Sequence, residues 1–74
     1  MSSIKRIYYV RYKWATNDRN WLDLEPKRVN AISAKSAAET LKDCNPVTFC
    51  GDVSFMVSTA ENMAGCIYHI SELE

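Results

Sequence analysis

Glycine is scarce in this 74-residue chain, with only Gly51 and Gly65 present. So little glycine leaves the backbone few ways to close on a substrate, and no Gly-rich phosphate loop occurs. Histidine is scarcer still: His69 stands alone. There is no HExxH pattern and no carboxylate pair at a useful spacing, so metalloprotease and paired-acid chemistry lack their carriers. No apolar run approaches the ~20 residues that span a bilayer, so no membrane partner is expected. Met1 to Ile7 holds no apolar signal-peptide core, which points to an intracellular, cytoplasmic protein. The three cysteines, Cys44, Cys50 and Cys66, are an odd number, whereas a secreted disulfide framework normally uses an even one. Reduced thiols of a cytosolic protein are the simpler expectation.

Net charge is also lacking in total, though not locally. Residues 1–35 carry eight basic groups (Lys5, Arg6, Arg11, Lys13, Arg19, Lys27, Arg28, Lys35) against Asp18, Asp23 and Glu25, a net of +5. Residues 36–74 carry Lys42 against Glu39, Asp43, Asp52, Glu61, Glu72 and Glu74, a net of −5. Charges that merely decorate solvated faces would explain this, as would a polar molecule whose basic end docks on an acidic surface. With 47% hydrophobic and 11% aromatic residues the chain is globular rather than disordered. Its length predicts one domain, residues 1–74, which buries about 60% of its unfolded surface.

The helical period is clear in one stretch, Ser33 to Cys44. Ala34, Ala37, Ala38, Leu41 and Cys44 fall three and four apart and share a stripe. Ser33 is placed to cap the helix by accepting from the amide of Ser36, and Asn45-Pro46 stops it. The rest reads as strand and turn. Ile4 to Trp14 is rich in residues that favour a pleated surface. Ile4, Arg6, Tyr8, Val10, Tyr12 and Trp14 point one way, toward the helix, with Arg6 at the rim. Lys5, Ile7, Tyr9, Arg11 and Lys13 point the other. A turn cluster at residues 16–20 and Pro26, an edge or bulge residue, lead to a second strand, Lys27 to Ile32, with Val29 and Ala31 on one side. The two strands fit a hairpin. Residues 45–52 are a loop carrying an apolar plug, Val47 and Phe49. Val53, Phe55 and Val57 alternate in a third strand, Gly65 is available for a positive φ, and Cys66 to Ile70 is a fourth strand followed by a tail, residues 71–74.

The expected architecture is therefore α+β, a four-stranded antiparallel sheet with one helix on one face, in the order β-β-α-β-β. The uncovered face, with Ile7, Tyr9 and Met56, is a candidate interface, and a homodimer through it is an equal expectation.

Candidate chemistry is thin. Cys66 and His69 stand three apart in a strand, so their side chains diverge and no Cys–His nucleophile forms. Cys44-x5-Cys50 with Cys66-x2-His69 offers four zinc ligands, but the first spacing exceeds the usual two to four residues, and free cysteines often simply pack. No catalytic residue, metal site or cofactor is expected. What stands out is the run Tyr8-Tyr9-Val10-Arg11-Tyr12-Lys13-Trp14, extended by Arg19 and Trp21, with Lys27 and Arg28 after it. Interleaved aromatics and cations suit single-stranded nucleic acid, although a pI near 6.6 is low for such a domain. Tyr, Trp and Arg equally suit a protein partner. The expected binding residues are Tyr9, Arg11, Lys13, Trp14, Arg19 and Trp21.

The stretch Lys27 to Ala38 is a strand ending in V-x-A followed by a capped helix of the S-x-x-x-A-A kind. It resembles many short proteins carried by phages and mobile elements. Among them, some anti-CRISPR inhibitors of multi-subunit surveillance complexes have a similar length and strand-strand-helix-strand-strand order, a likeness that covers most of the chain. The resemblance implies a non-enzymatic inhibitor that occupies a nucleic-acid-binding surface on a host protein or nucleoprotein complex. Such surfaces are basic, and here only the C-terminal half is acidic. The alternative is a nucleic-acid-binding module working through the N-terminal hairpin.

Overall fold

A computed structural model describes residues 4–45 and 47–73. The expectations placed on Met1–Ser3, on Pro46 as helix stop and on Glu74 in the tail lie outside the described residues. Strands β1 (Arg6–Trp14), β2 (Lys27–Ala31), β3 (Val53–Ser58) and β4 (Cys66–His69) form one antiparallel sheet in the order β2-β1-β3-β4, with helix α1 (Ala34–Cys44) between β2 and β3 in sequence. This is the α+β class and element order that the sequence predicts. β1 pairs with β2 over Arg6–Val10 and with β3 over Tyr9–Trp14, so the hairpin and the sheet centre share only its middle.

The register sorts the side chains into two faces. Tyr8, Val10, Tyr12, Trp14, Val29, Ala31, Val53, Phe55, Val57 and Tyr68 line the face under α1. Ser33 Oγ accepts from the Ser36 amide at 3.1 Å and starts the helix. Ala37 and Ala38 are wholly buried, and their small side chains let α1 lie close on the sheet, with Leu41 buried beside them. Cys44 is exposed rather than closing the stripe. It is the last residue of α1.

The helix is too short to cover the whole face, and the loop of residues 45–52 closes the remainder. Thr48 and Phe49 amides both bond the Asn45 carbonyl. This tight turn drives Phe49 inward and leaves Val47 outside, 89% exposed, so the expected two-residue plug is Phe49 alone. Phe49 meets Tyr12 at 4.7 Å and Phe55 at 5.2 Å between ring centroids, both edge-on, and stacks against Trp14 at 6.2 Å. The expected tail is instead a 3-10 turn, Ile70–Leu73, whose three-residue period buries both Ile70 and Leu73 against the core. Lys42 Nζ donates to the Leu73 carbonyl at 3.1 Å and ties this turn to α1.

The face away from α1 is not left open, as the sequence suggests. Met56 and Ser58, both on that face, are buried. The connections of residues 15–26 and 59–65 fold over its middle, because Arg11 beneath them donates from Nε to the Leu24 carbonyl at 3.1 Å and from Nη2 to the Glu61 carbonyl. Gly65 does not take the positive φ expected of it; Gly51 does, at +83°. Gly65 is needed for closeness instead, since a Cβ there would overlap the backbone carbonyl of Val57. Among the described residues no helix is long and apolar enough to cross a membrane.

Candidate functional site

Strand alternation decides which of the six expected binding residues can meet. Tyr9, Arg11 and Lys13 lie two apart on β1 and share the face away from α1. Arg19 and Trp21 join them through the turn that follows. Asn17 Oδ1 accepts from the Arg19 amide at 2.9 Å, and Asn20 caps the short 3-10 turn Trp21–Asp23 by accepting from the Leu22 amide. These two asparagines bend the connection back toward β1. Lys13 Nζ then donates to the Arg19 carbonyl at 2.8 Å and rests 4.8 Å from the centroid of the Trp21 ring, a cation–π contact. Lys13, Arg19 and Trp21 thus form one patch, while Tyr9 lies four residues back along β1 on the same face, beyond the covered Arg11 and opposite Arg28 on β2.

Two of the six residues leave this patch. Trp14 points to the helix face, where its indole stacks on Phe49 and Nε1 donates to the Cys50 carbonyl at 2.9 Å. Arg11 is on the correct face but is only 2% exposed. The two connections that it anchors cover it, so it offers no surface to a partner in this conformation. The sequence shows which face Arg11 occupies, but not that residues from thirteen and fifty positions away supply its acceptors.

The structure adds apolar residues to the rim of the same face. Ile67 on edge strand β4 is 54% exposed, and Ile7 on β1 is 41% exposed. Their place is readable from strict alternation, which sets Ile67 on the opposite face from Cys66 and Tyr68 of its strand. A pocket of ≈ 230 Å³ at the end of the helix face, lined by Tyr12, Trp14, Asn17, Leu24, Glu25 and Lys27, was not anticipated.

The thiols and the imidazole do not converge. Cys44, Cys50 and Cys66 are each exposed and unpaired, and among the described residues no three of His, Cys, Asp and Glu gather into a metal-sized group. His69 has a local task. Its Nδ1 accepts from the Ser71 amide at 3.2 Å with the Ser71 hydroxyl at 2.9 Å, while the His69 amide donates to Glu72 Oε2 at 2.9 Å. This reciprocal pattern is a capping box for the 3-10 turn Ile70–Leu73. With Nδ1 accepting, the ring proton sits on Nε2 and faces Asp52 Oδ1 at 3.4 Å. His69 thereby ties the turn to Asp52 in the loop before β3.

Among the described residues, half-buried Tyr68 is the one group with a clear acidity shift. Burial raises its pKa above the ordinary 10.0, helped by the Cys66 sulfur two residues away, which also shares a hydrogen bond with it, then by Glu72 and Tyr8. The neutral phenol is favoured in the folded state. Its contribution is thus complete below pH ~10 and is lost as pH rises through the higher folded value. Denaturation midpoints from pH 8 to 11 should fall more steeply in the native protein than in Tyr68→Phe; parallel curves would contradict this. Compared with protein-family models, with curated proteins and with solved structures, the chain matches none.

Proposed function

We propose that this is a non-enzymatic binding protein, a phage-type inhibitor of the anti-CRISPR kind, that sits on a host protein or nucleoprotein complex and blocks it sterically. The observation that carries the reading is the makeup of the face away from α1. Around its rim Ile7, Ile67, Tyr9, Trp21, Lys13, Arg19 and Arg28 stand at least partly exposed. Among the described residues none of these three cations forms a salt bridge. A rim that mixes aromatic, aliphatic and unpaired basic groups suits a protein surface that is itself apolar and acidic. The same rim accommodates a second copy of the chain less well, because two basic patches would then face each other.

The nucleic-acid alternative has weaker support. Trp14 packs against Phe49 on the helix face and Lys13 lies over one face of Trp21, so the two indoles do not make one continuous stacking platform. A salt-sensitive quench of tryptophan fluorescence on adding single-stranded oligonucleotide would restore that alternative.

The test of the surface is a double charge reversal, Lys13→Glu with Arg19→Glu. Neither side chain is in the core, so the circular dichroism spectrum should hold and Tm should fall only by what the Lys13 contacts to Arg19 and Trp21 contribute, while affinity for the partner drops about tenfold or more. Lys35→Glu, on the exposed side of α1, serves as the control and should bind normally. Unchanged affinity in the double variant would remove this surface from the account. Reversal at Arg11 is uninformative here, because a buried carboxylate there would unfold the protein.

A further inference from the structure

We propose that Arg11 is a latent oxyanion seat, covered by the 59–65 connection, that takes a carboxylate from the binding partner. The proposal rests on the binding function above for its source of ligand. A guanidinium is always charged and carries five donors. Here it is 2% exposed, and its acceptors are two neutral carbonyls, those of Leu24 and Glu61. Nη1 is buried with no partner at all. Buried charge without a counter-charge is costly, and an orphaned donor on it adds to that cost. The face offers no relief of its own: its strand residues are Ile7, Tyr9, Arg11, Lys13, Arg28, Asn30, Ser54, Met56, Ser58, Ile67 and His69, and not one is acidic.

The cover is thin. Every residue from Glu61 to Gly65 is exposed. Gly65 packs the C-terminal end of the cover against the Val57 carbonyl. Apart from that and Arg11, the part of the turn that covers the guanidinium is held by Ser58 Oγ donating to the Ala60 carbonyl at 2.8 Å and a long Met63-to-Ala60 backbone contact of 3.4 Å. Segments of this kind open at little free-energy cost. When it lifts, Nη2 loses the Glu61 carbonyl, and Nη1 and Nη2 present the end of the fork side by side. Nε remains on the Leu24 carbonyl and keeps the plane aimed. A planar carboxylate fits that edge with two parallel charge-assisted bonds.

The experiment uses the whole chain and follows the arginine side-chain ¹⁵N resonances by NMR, together with Tm, during titration with sodium acetate. Sodium chloride at equal ionic strength and orthophosphate are parallel arms. Acetate should move the Arg11 signals saturably and raise Tm by about 9 °C at tenfold its Kd, and the response should vanish in Arg11→Met. No saturable shift, an equal shift with chloride, a response to phosphate without acetate, or an undiminished response in Arg11→Met would each overturn the proposal. Should Arg11→Met fail to fold, the three native-protein titrations decide alone. Because acetate is the probe, this result is independent of whether Lys13 and Arg19 contact a macromolecule.

Discussion

Phe49→Ala should bring the protein close to unfolding at room temperature. Phe49 is held in an irregular loop and is buried by Tyr12, Trp14 and Phe55, the rings that close the end of the sheet beyond α1. Truncating a buried phenylalanine costs about 3–5 kcal/mol, part transfer and part cavity, and the lost edge-on pairs lie within that figure. A chain of this length holds in all about 4–11 kcal/mol at ~0.05–0.15 kcal/mol per residue. Phe49→Leu should cost clearly less, because it refills most of the volume. Urea denaturation followed by tryptophan fluorescence reads the effect directly, since Trp14 stacks on the replaced ring. A loss under about 1 kcal/mol would mean that the loop does not plug the core.

Gly65→Ala should rival it, for a different reason. The added methyl would overlap the carbonyl oxygen and carbon of Val57 and the Cα of Ser58, all backbone atoms of β3 that have no rotamer to yield. The strand start at Cys66, opposite Val57, would have to move away, and β4 with it. A loss of about 2–4 kcal/mol is expected. Gly51→Ala separates this steric cause from a conformational one. Gly51 has φ of +83° and nothing within 4 Å of the added Cβ, so only the left-handed backbone penalty of about 1 kcal/mol applies. Equal losses at the two sites, or a larger one at Gly51, would show that β3 and the connection are not in contact as described.

Local chemistry was legible in the sequence; long-range closure was not. The alanine stripe, the Ser33 cap and the strand alternation each depend on residues within four positions, and each reads directly as helix, cap or face. Alternation alone already separates Trp14 from Tyr9 and Lys13. Pooling all six expected residues into one surface overlooked a parity that the chain displays. The meeting of Lys13, Arg19 and Trp21 required the two asparagine turns at Asn17 and Asn20, which carry the chain back over β1. Arg11 was the hardest case. Its face follows from parity, but its burial follows from two connections whose course only the folded chain fixes, and an arginine on a strand normally stays wet. The same limit applies to Phe49 and Val47, two loop residues of similar character separated by a single tight turn.

The account stands or falls on the claim that the molecule grips its partner with the side of the sheet that α1 does not occupy. Co-purification of host proteins with the native chain, with Lys13→Glu/Arg19→Glu and with Lys35→Glu, quantified by mass spectrometry, addresses that most directly. The species held by the native chain should be retained by Lys35→Glu and lost from the double variant. Retention by the double variant together with loss from Lys35→Glu would place the contact on the helix instead.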